Sequence, residues 1–361
     1  MCANLLACSS DATIQDVEEP QGQVPMQFSQ AAIDSPAKAR AVTRGTTLAQ
    51  GFLVSCYKNS NTTSPRLVMD SYEVQYRSGG WNNSQTSWDY VGTTAAGFYK
   101  TQVQRYWDGS ALPYRFTAIS PCPKHEEIKG FALTSNKLSM PESAVYTHQT
   151  CTNGATTDGA EPYVVADITY SDYLDNNNQV KKVALPFHHL TSKVRFAIYT
   201  SASAPISVRN ITIQTERQGG FITSAHSYQA TLTGTDNRAW KGGFTKTTNE
   251  QSACTLLSDA KGVDILSTNK AEPYWFQCND GLLQIPQQNV KLTISLEVNG
   301  VERTVPITIQ ENGNTKDAFT WESNKIYTYI LNVNSNGIIV CSAELEPWQD
   351  VQGSIETSLE N

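Results

Sequence analysis

The sequence places one cysteine where its thiol could be acylated. Leu5-Leu6-Ala7 precede Cys8, and Ser9-Ser10-Asp11 follow it. Two apolar residues, a small one, a cysteine and then a polar stretch resemble the end of a bacterial lipoprotein signal. There the thiol takes a diacylglycerol and the cysteine becomes the mature N-terminus. Each acyl CH₂ buried in a bilayer contributes about 0.8 kcal/mol, so several chains would hold the protein on a membrane. No basic n-region precedes Cys8, so residues 1–23 read as a truncated signal followed by a polar, acidic tether.

The other reactive residue types form weaker patterns. The histidines are His125, His148, His188, His189 and His226. In a strand, neighbours point to opposite faces, so His188 and His189 do not share one ion; one packed and one exposed ring is expected. Ser192 lies near His189, but no G-x-S-x-G elbow surrounds any serine. The carboxylates Glu126, Glu127, Asp158, Glu161 and Asp167 have no spacing that supports a glycosidase pair. Gly79-Gly80, Gly219-Gly220 and Gly242-Gly243 lack a phosphate-loop setting and read as turns. Asp175 with Asn176 to Asn178 lacks the glycine and terminal glutamate of a calcium loop. No catalytic residue, no metal and no cofactor is expected.

Trp81, Trp88, Tyr90 and Trp107 cluster among Gly, Asn and Ser. Exposed, such rings stack on sugars, and Trp81 with Trp88 would form a glycan platform. Buried, they supply core area. The cysteines are Cys2, Cys8, Cys56, Cys122, Cys151, Cys254, Cys278 and Cys341, with no C-x-x-C. The last six allow fifteen pairings. Cys56 and Cys341 fall in strand-like runs, where a cysteine behaves as a small buried hydrophobe, and free thiols are expected rather than disulfides.

The elements that would position these groups are strands. At 361 residues the chain exceeds a usual single core, so two domains are the expectation. Hydrophobics are 39% and charged residues 17%, with 22 Gly and 15 Pro, the composition of a turn-rich all-β protein. The net charge of −7 argues against nucleic acid as a partner. No stretch approaches the ~18 apolar residues of a membrane span.

Period-two rows recur along the chain. Val24 to Phe28 is a first strand, and residues 34–50 show no period and carry two basic sites. Tyr72, Val74 and Tyr76 share a face, as do Tyr114, Phe116 and Ala118, with Arg115 and Thr117 opposite. Val194, Phe196 and Ile198 alternate with Lys193, Arg195 and Ala197. Leu292, Ile294, Leu296 and Val298 form another row. Asn299-Gly300 then predicts a type I′ turn, and Val301 to Ile309 returns, with Pro306 at an edge or bulge. Tyr327 to Val333 and Ile338 to Leu345 complete the set. The Asn-rich stretch Asp175 to Gln179 is the expected domain boundary.

Four segments then stand in order. Gly51-Phe52-Leu53-Val54-Ser55-Cys56-Tyr57 follows an Arg-containing loop. Arg105-Tyr106-Trp107-Asp108 precedes Tyr114 to Pro121. Leu185-Pro186-Phe187-His188-His189-Leu190-Thr191-Ser192-Lys193 opens the second half. Trp321-Glu322-Ser323-Asn324-Lys325-Ile326-Tyr327 leads to the last strand and Trp348. The set resembles the fimbrillin-like lipoproteins of Bacteroides and Porphyromonas relatives, the subunits of type V pili.

That resemblance implies an all-β fold of two tandem transthyretin-like antiparallel β-sandwich domains, here 24–179 and 180–361. It implies a non-enzymatic adhesive subunit, exported through the periplasm and held at the outer membrane by lipid on Cys8. It also implies assembly by strand exchange after an Arg-specific cut. Val24 to Phe28 would be the removable strand and Arg44-Gly45 the cut, with Arg40-Ala41 as the alternative. Ile338 to Leu345 or the tail beyond Trp348 would be the donor. Partners would be other fimbrial subunits or itself, and a host or bacterial surface glycan or protein. The rival reading is a monomeric surface lipoprotein that binds glycans through Trp81 and Trp88.

Overall fold

Alternating rows become strands in the computed structural model, and no α-helix occurs among the described residues. The structure describes residues 24–33, 51–77, 87–92, 102–156, 159–201 and 206–214. It also describes 221–347 apart from 223, 233–239, 247–249, 252, 267, 277, 279–280, 299, 312–313, 317–318 and 335–338. Cys8, Arg40, Ala41, Arg44, Gly45, Trp81 and the tail beyond Pro347 lie outside the described residues. The all-β expectation is met.

The first sheet has seven strands, in the order Phe28–Ile33, Val183–His188, Val164–Tyr170, Tyr114–Ser120, Phe52–Lys58, Arg66–Arg77 and Ser87–Asp89. Phe28–Ile33 runs parallel to Val183–His188, and the other neighbours are antiparallel. The two end strands, Phe28–Ile33 and Ser87–Asp89, come into contact, so the sheet curls back on itself. Both faces are covered. Phe52, Val54, Cys56, Phe116, Ala118 and Ala166 line one core. Leu53, Ile119 and Val165, one residue out of phase, line another. Strands covered on both faces read as continuous apolar runs, which is why Phe52 to Cys56 shows no alternation. Arg115 and Thr117 are buried on the second face, where Arg115 Nε donates to Asp167 Oδ1 at 2.8 Å.

That second face lies under a small sheet of mixed origin. Ala132–Leu133, Lys137–Ser139 and Val145–Thr147 come from the first half of the chain; Ser224–Leu232 and Trp240–Lys246 come from the second. Gly242-Gly243 is therefore strand rather than turn. A Cβ on Gly242 would stand 2.4 Å from the Gln229 carbonyl of the paired strand, so only glycine fits.

Two further seven-stranded sheets enclose a third core. Leu292, Ile294 and Leu296 point into it, as do Val194, Phe196 and Ile198. Gln287–Val298 and Val301–Pro306 pair with Val298 opposite Val301, and Gly300 has φ 77°, as the turn reading required. Val301–Pro306 is an edge strand, and after Pro306 the chain crosses to the other sheet as Thr308–Glu311. The last strand, Ile339–Pro347, lies between Lys325–Val333 and Thr308–Glu311.

Two expectations change. The opening strand is longer and in two pieces, Val24–Pro25 and Phe28–Ile33. The Asn-rich stretch is a hairpin turn within the first sheet: Asp175 Oδ1 accepts from Asn177 N and Gln179 N, each at 2.8 Å. The strand after it, Val183–His188, belongs to the first sheet, so the pairing changes after His188 rather than at 179. Finally, Cys151 and Cys278 form a disulfide, one of the pairings the sequence left open, while Cys56, expected free, is free, as is Cys122.

Candidate functional site

The first core is completed by the opening segment. Met26, between the two pieces of the opening strand, is fully buried, and Phe28, in the edge strand, is 4% exposed. The Phe28 ring meets Phe52 at 5.5 Å, Tyr90 at 5.8 Å and Phe116 at 6.1 Å, each edge-on. Burying two such side chains stabilises by roughly 3–6 kcal/mol in sum. Val24–Pro25 pairs with Tyr106–Trp107, and Val183 N donates to Gln27 O at 2.7 Å.

Main-chain groups of the segment are also held. Met26 N donates to Arg105 O at 2.7 Å. The Met26 carbonyl accepts from Tyr90 OH at 2.9 Å and from Gln104 Nε2 at 3.1 Å. Burial pushes the Tyr90 phenol far above its usual range, so it stays a donor. The sequence signalled Tyr90 within an aromatic cluster and Arg105 within a motif; Gln104 gave no signal. Together these residues form a seat for one extended segment: two apolar pockets, one ladder and one cluster of polar groups.

A second polar cluster fastens the crossover between the first sheet and the rest. The Glu161 and His189 side chains are both buried, with His189 Nδ1 hydrogen-bonded to Glu161 Oε2. Glu161 Oε1 accepts from Leu190 N at 2.9 Å, Thr191 N at 3.0 Å and Thr191 Oγ1 at 2.9 Å. Burial alone would raise the Glu161 carboxyl, but the His189 pair and the Thr191 donors outweigh it and hold it below the usual range. Asn324, in the turn before Lys325–Val333, accepts from His189 N at 3.2 Å and donates its own N–H to Thr191 O at 2.9 Å.

The remaining expected residues disperse. His188, the last residue of its strand, is half-buried, and His189 just after it is buried. His148 is held by Gln284 at 2.7 Å and by Gln287 at 3.1 Å. Glu161 pairs with His189 and Asp167 with Arg115, and no group of three or more metal-ligating side chains occurs among the described residues. Trp88 is half-buried with its ring 5.2 Å from Phe52 and 5.3 Å from Tyr76, and Tyr90 and Trp107 lie inside the core. No helix among the described residues is long and apolar enough to cross a membrane.

Residues 39–348 match the fimbrillin-like family. Similar solved structures include a protein described as a cell adhesion protein from Bacteroides uniformis. It is 13% identical with a TM-score of 0.42, over 92% of this chain and 100% of that one. A fimbrial protein from Bacteroides vulgatus is 12% identical with a TM-score of 0.40, over 88% and 99%. A fimbrial assembly protein from Parabacteroides distasonis is 11% identical with a TM-score of 0.29, over 90% and 96%. No curated protein matches the chain.

Proposed function

This chain belongs to the fimbrillin-like family and is a non-enzymatic, cell-surface structural protein of fimbrial type; we propose that it assembles by strand exchange at the seat of its opening segment. The observation that carries this reading is the pairing of edge position with core burial. Phe28–Ile33 ends its sheet, yet Met26 and Phe28 fill the core. A segment so placed can leave without threading through the fold, and its departure exposes apolar pockets and unpaired backbone that a new strand would cover.

On this reading the chain is two tandem transthyretin-like sandwiches, lipidated at Cys8 and exported through the periplasm to the outer membrane. Cleavage at Arg44-Gly45, or at Arg40-Ala41, frees the opening segment. The donor is the tail rather than the last strand, because Ile339–Pro347 has neighbours on both sides. In the tail, Val351, Gly353, Ile355, Thr357 and Leu359 alternate with Gln352, Ser354, Glu356, Ser358 and Glu360, a half-buried strand pattern. Partners are further copies or other fimbrial subunits.

The test is limited digestion of the full chain with an Arg-specific protease. One cut within residues 34–50, loss of the opening segment and a ladder of oligomers is the expected result. A cleaved protein that stays monomeric removes polymerisation from the reading. The alternative, glycan binding by a surface monomer, draws on Tyr76, which is 46% exposed and next to Trp88. Glycan-array binding that is lost in Trp88→Ala, with folding retained, would favour it.

A further inference from the structure

Resting on the strand-exchange reading, we infer that Tyr90, Gln104 and Arg105 form a main-chain clamp that sets the phase of any strand filling the seat. The incoming strand is an extended segment of a second copy of this chain.

The clamp reads both backbone groups of one residue and none of its side chain. Met26 N–H goes to Arg105 O at 2.7 Å, and Met26 C=O takes Tyr90 OH at 2.9 Å and Gln104 Nε2 at 3.1 Å. In a strand only every second residue turns both groups to the same side. A slip of one residue therefore loses these bonds and also turns the apolar row to solvent. Slips of two residues keep the phase, so the clamp fixes phase and not position. The residue at the clamp can be of any type except proline, which has no N–H.

The clamp is built on parts that stay behind when the segment leaves. Tyr90 OH accepts from Gln104 Nε2 at 2.8 Å and from Arg105 N at 3.1 Å. Arg105 Nε donates to Tyr72 OH at 2.9 Å, and its guanidinium lies 5.4 Å over the Tyr72 ring. Gln102 Nε2 donates to Tyr90 O and to Glu73 O, both at 2.9 Å, and its Oε1 accepts from Glu73 N at 2.7 Å. With the segment in place Tyr90 is 2% exposed, and its hydroxyl loses the Met26 carbonyl as acceptor when the segment leaves. The clamp thus rewards any strand that brings a carbonyl and an N–H to that point.

The test is hydrogen exchange of the full-length protein, followed by mass spectrometry. Tyr90→Phe and Gln104→Leu are each expected to speed exchange of residues 24–33 about tenfold, the scale of one lost hydrogen bond. Met26→Leu, which keeps the backbone groups, is expected to stay near wild type, and residues 287–298 should not change in any variant. Equal exchange of 24–33 in wild type and both clamp variants overturns the inference. A second arm uses Arg-protease-treated protein and synthetic peptides. A 24–33 peptide N-methylated at Met26 should bind at least tenfold more weakly than the unmodified one; equal binding also overturns the clamp. If a 348–361 peptide never displaces the 24–33 peptide from wild type, the strand-exchange reading fails, and the clamp is judged on the 24–33 measurements alone.

Discussion

Residues 24–33 and residues 144–156 each lie along a sheet formed mostly by distant parts of the chain, yet they are held by different physics. The opening segment is held by two side chains in a core, one parallel ladder at an edge and three polar groups around Met26. Segment 144–156 crosses from the first half onto the second. Val145–Thr147 pairs with Ser224 to His226, and Cys151–Thr152 runs parallel to Leu257 and Ser258. Between them Gln149 N donates to Leu283 O at 2.8 Å, and Gln284 Nε2 donates to Gln149 O at 2.8 Å. The Cys151–Cys278 disulfide, spanning 127 residues, then closes the attachment covalently. The first has no disulfide among its attachments, and the second has one. The difference teaches that strand pairing does not by itself set how firmly a segment is held; a disulfide closing a long loop adds to it.

Three perturbations test that contrast, from the largest expected effect to the smallest. Phe28→Ala should destabilise the protein by about 3–5 kcal/mol in chemical denaturation, since it empties the seat of its largest side chain. A cost under ~1 kcal/mol would mean that the opening segment does not complete the core. Reduction, or Cys151→Ser with Cys278→Ser, should cost about 2–4 kcal/mol in thermal unfolding while leaving hydrogen exchange of residues 24–33 unchanged. Faster exchange there would show that the two attachments are not independent.

The smallest effect concerns the crossover between them. The Glu161 carboxyl is held below its usual range, so its contribution is present above the unfolded value of about 4.3 and is lost as pH falls through the folded one. Glu161→Gln should cost roughly 1–3 kcal/mol at neutral pH. It should also flatten the stability curve on the acid side of pH ~4.3. An unchanged acid limb would place the acid sensitivity elsewhere.

Much of the fold was legible because half-buried strands write themselves as alternation. The rows at Val194, Phe196 and Ile198 and at Leu292, Ile294 and Leu296 point inward as read. Asn299-Gly300 marked its hairpin and Pro306 its edge. The misreadings have separate causes. Gly242-Gly243 reads as a turn because pairing with a distant strand, which only glycine permits there, leaves no local signal. Asp175 to Gln179 is rich in turn residues, which mark a hairpin and a linker alike.

The sequence by itself determined the all-β class, the places of most strands and the order of motifs that carries the family, since these depend on side-chain period and turn chemistry within a few residues. Only the tertiary structure decided that Met26 reaches Tyr90, Gln104 and Arg105, that Cys151 finds Cys278, and that Glu161 closes on His189 and Thr191. Each of those contacts joins residues between 28 and 127 positions apart, and local composition carries no record of which distant groups burial will bring together.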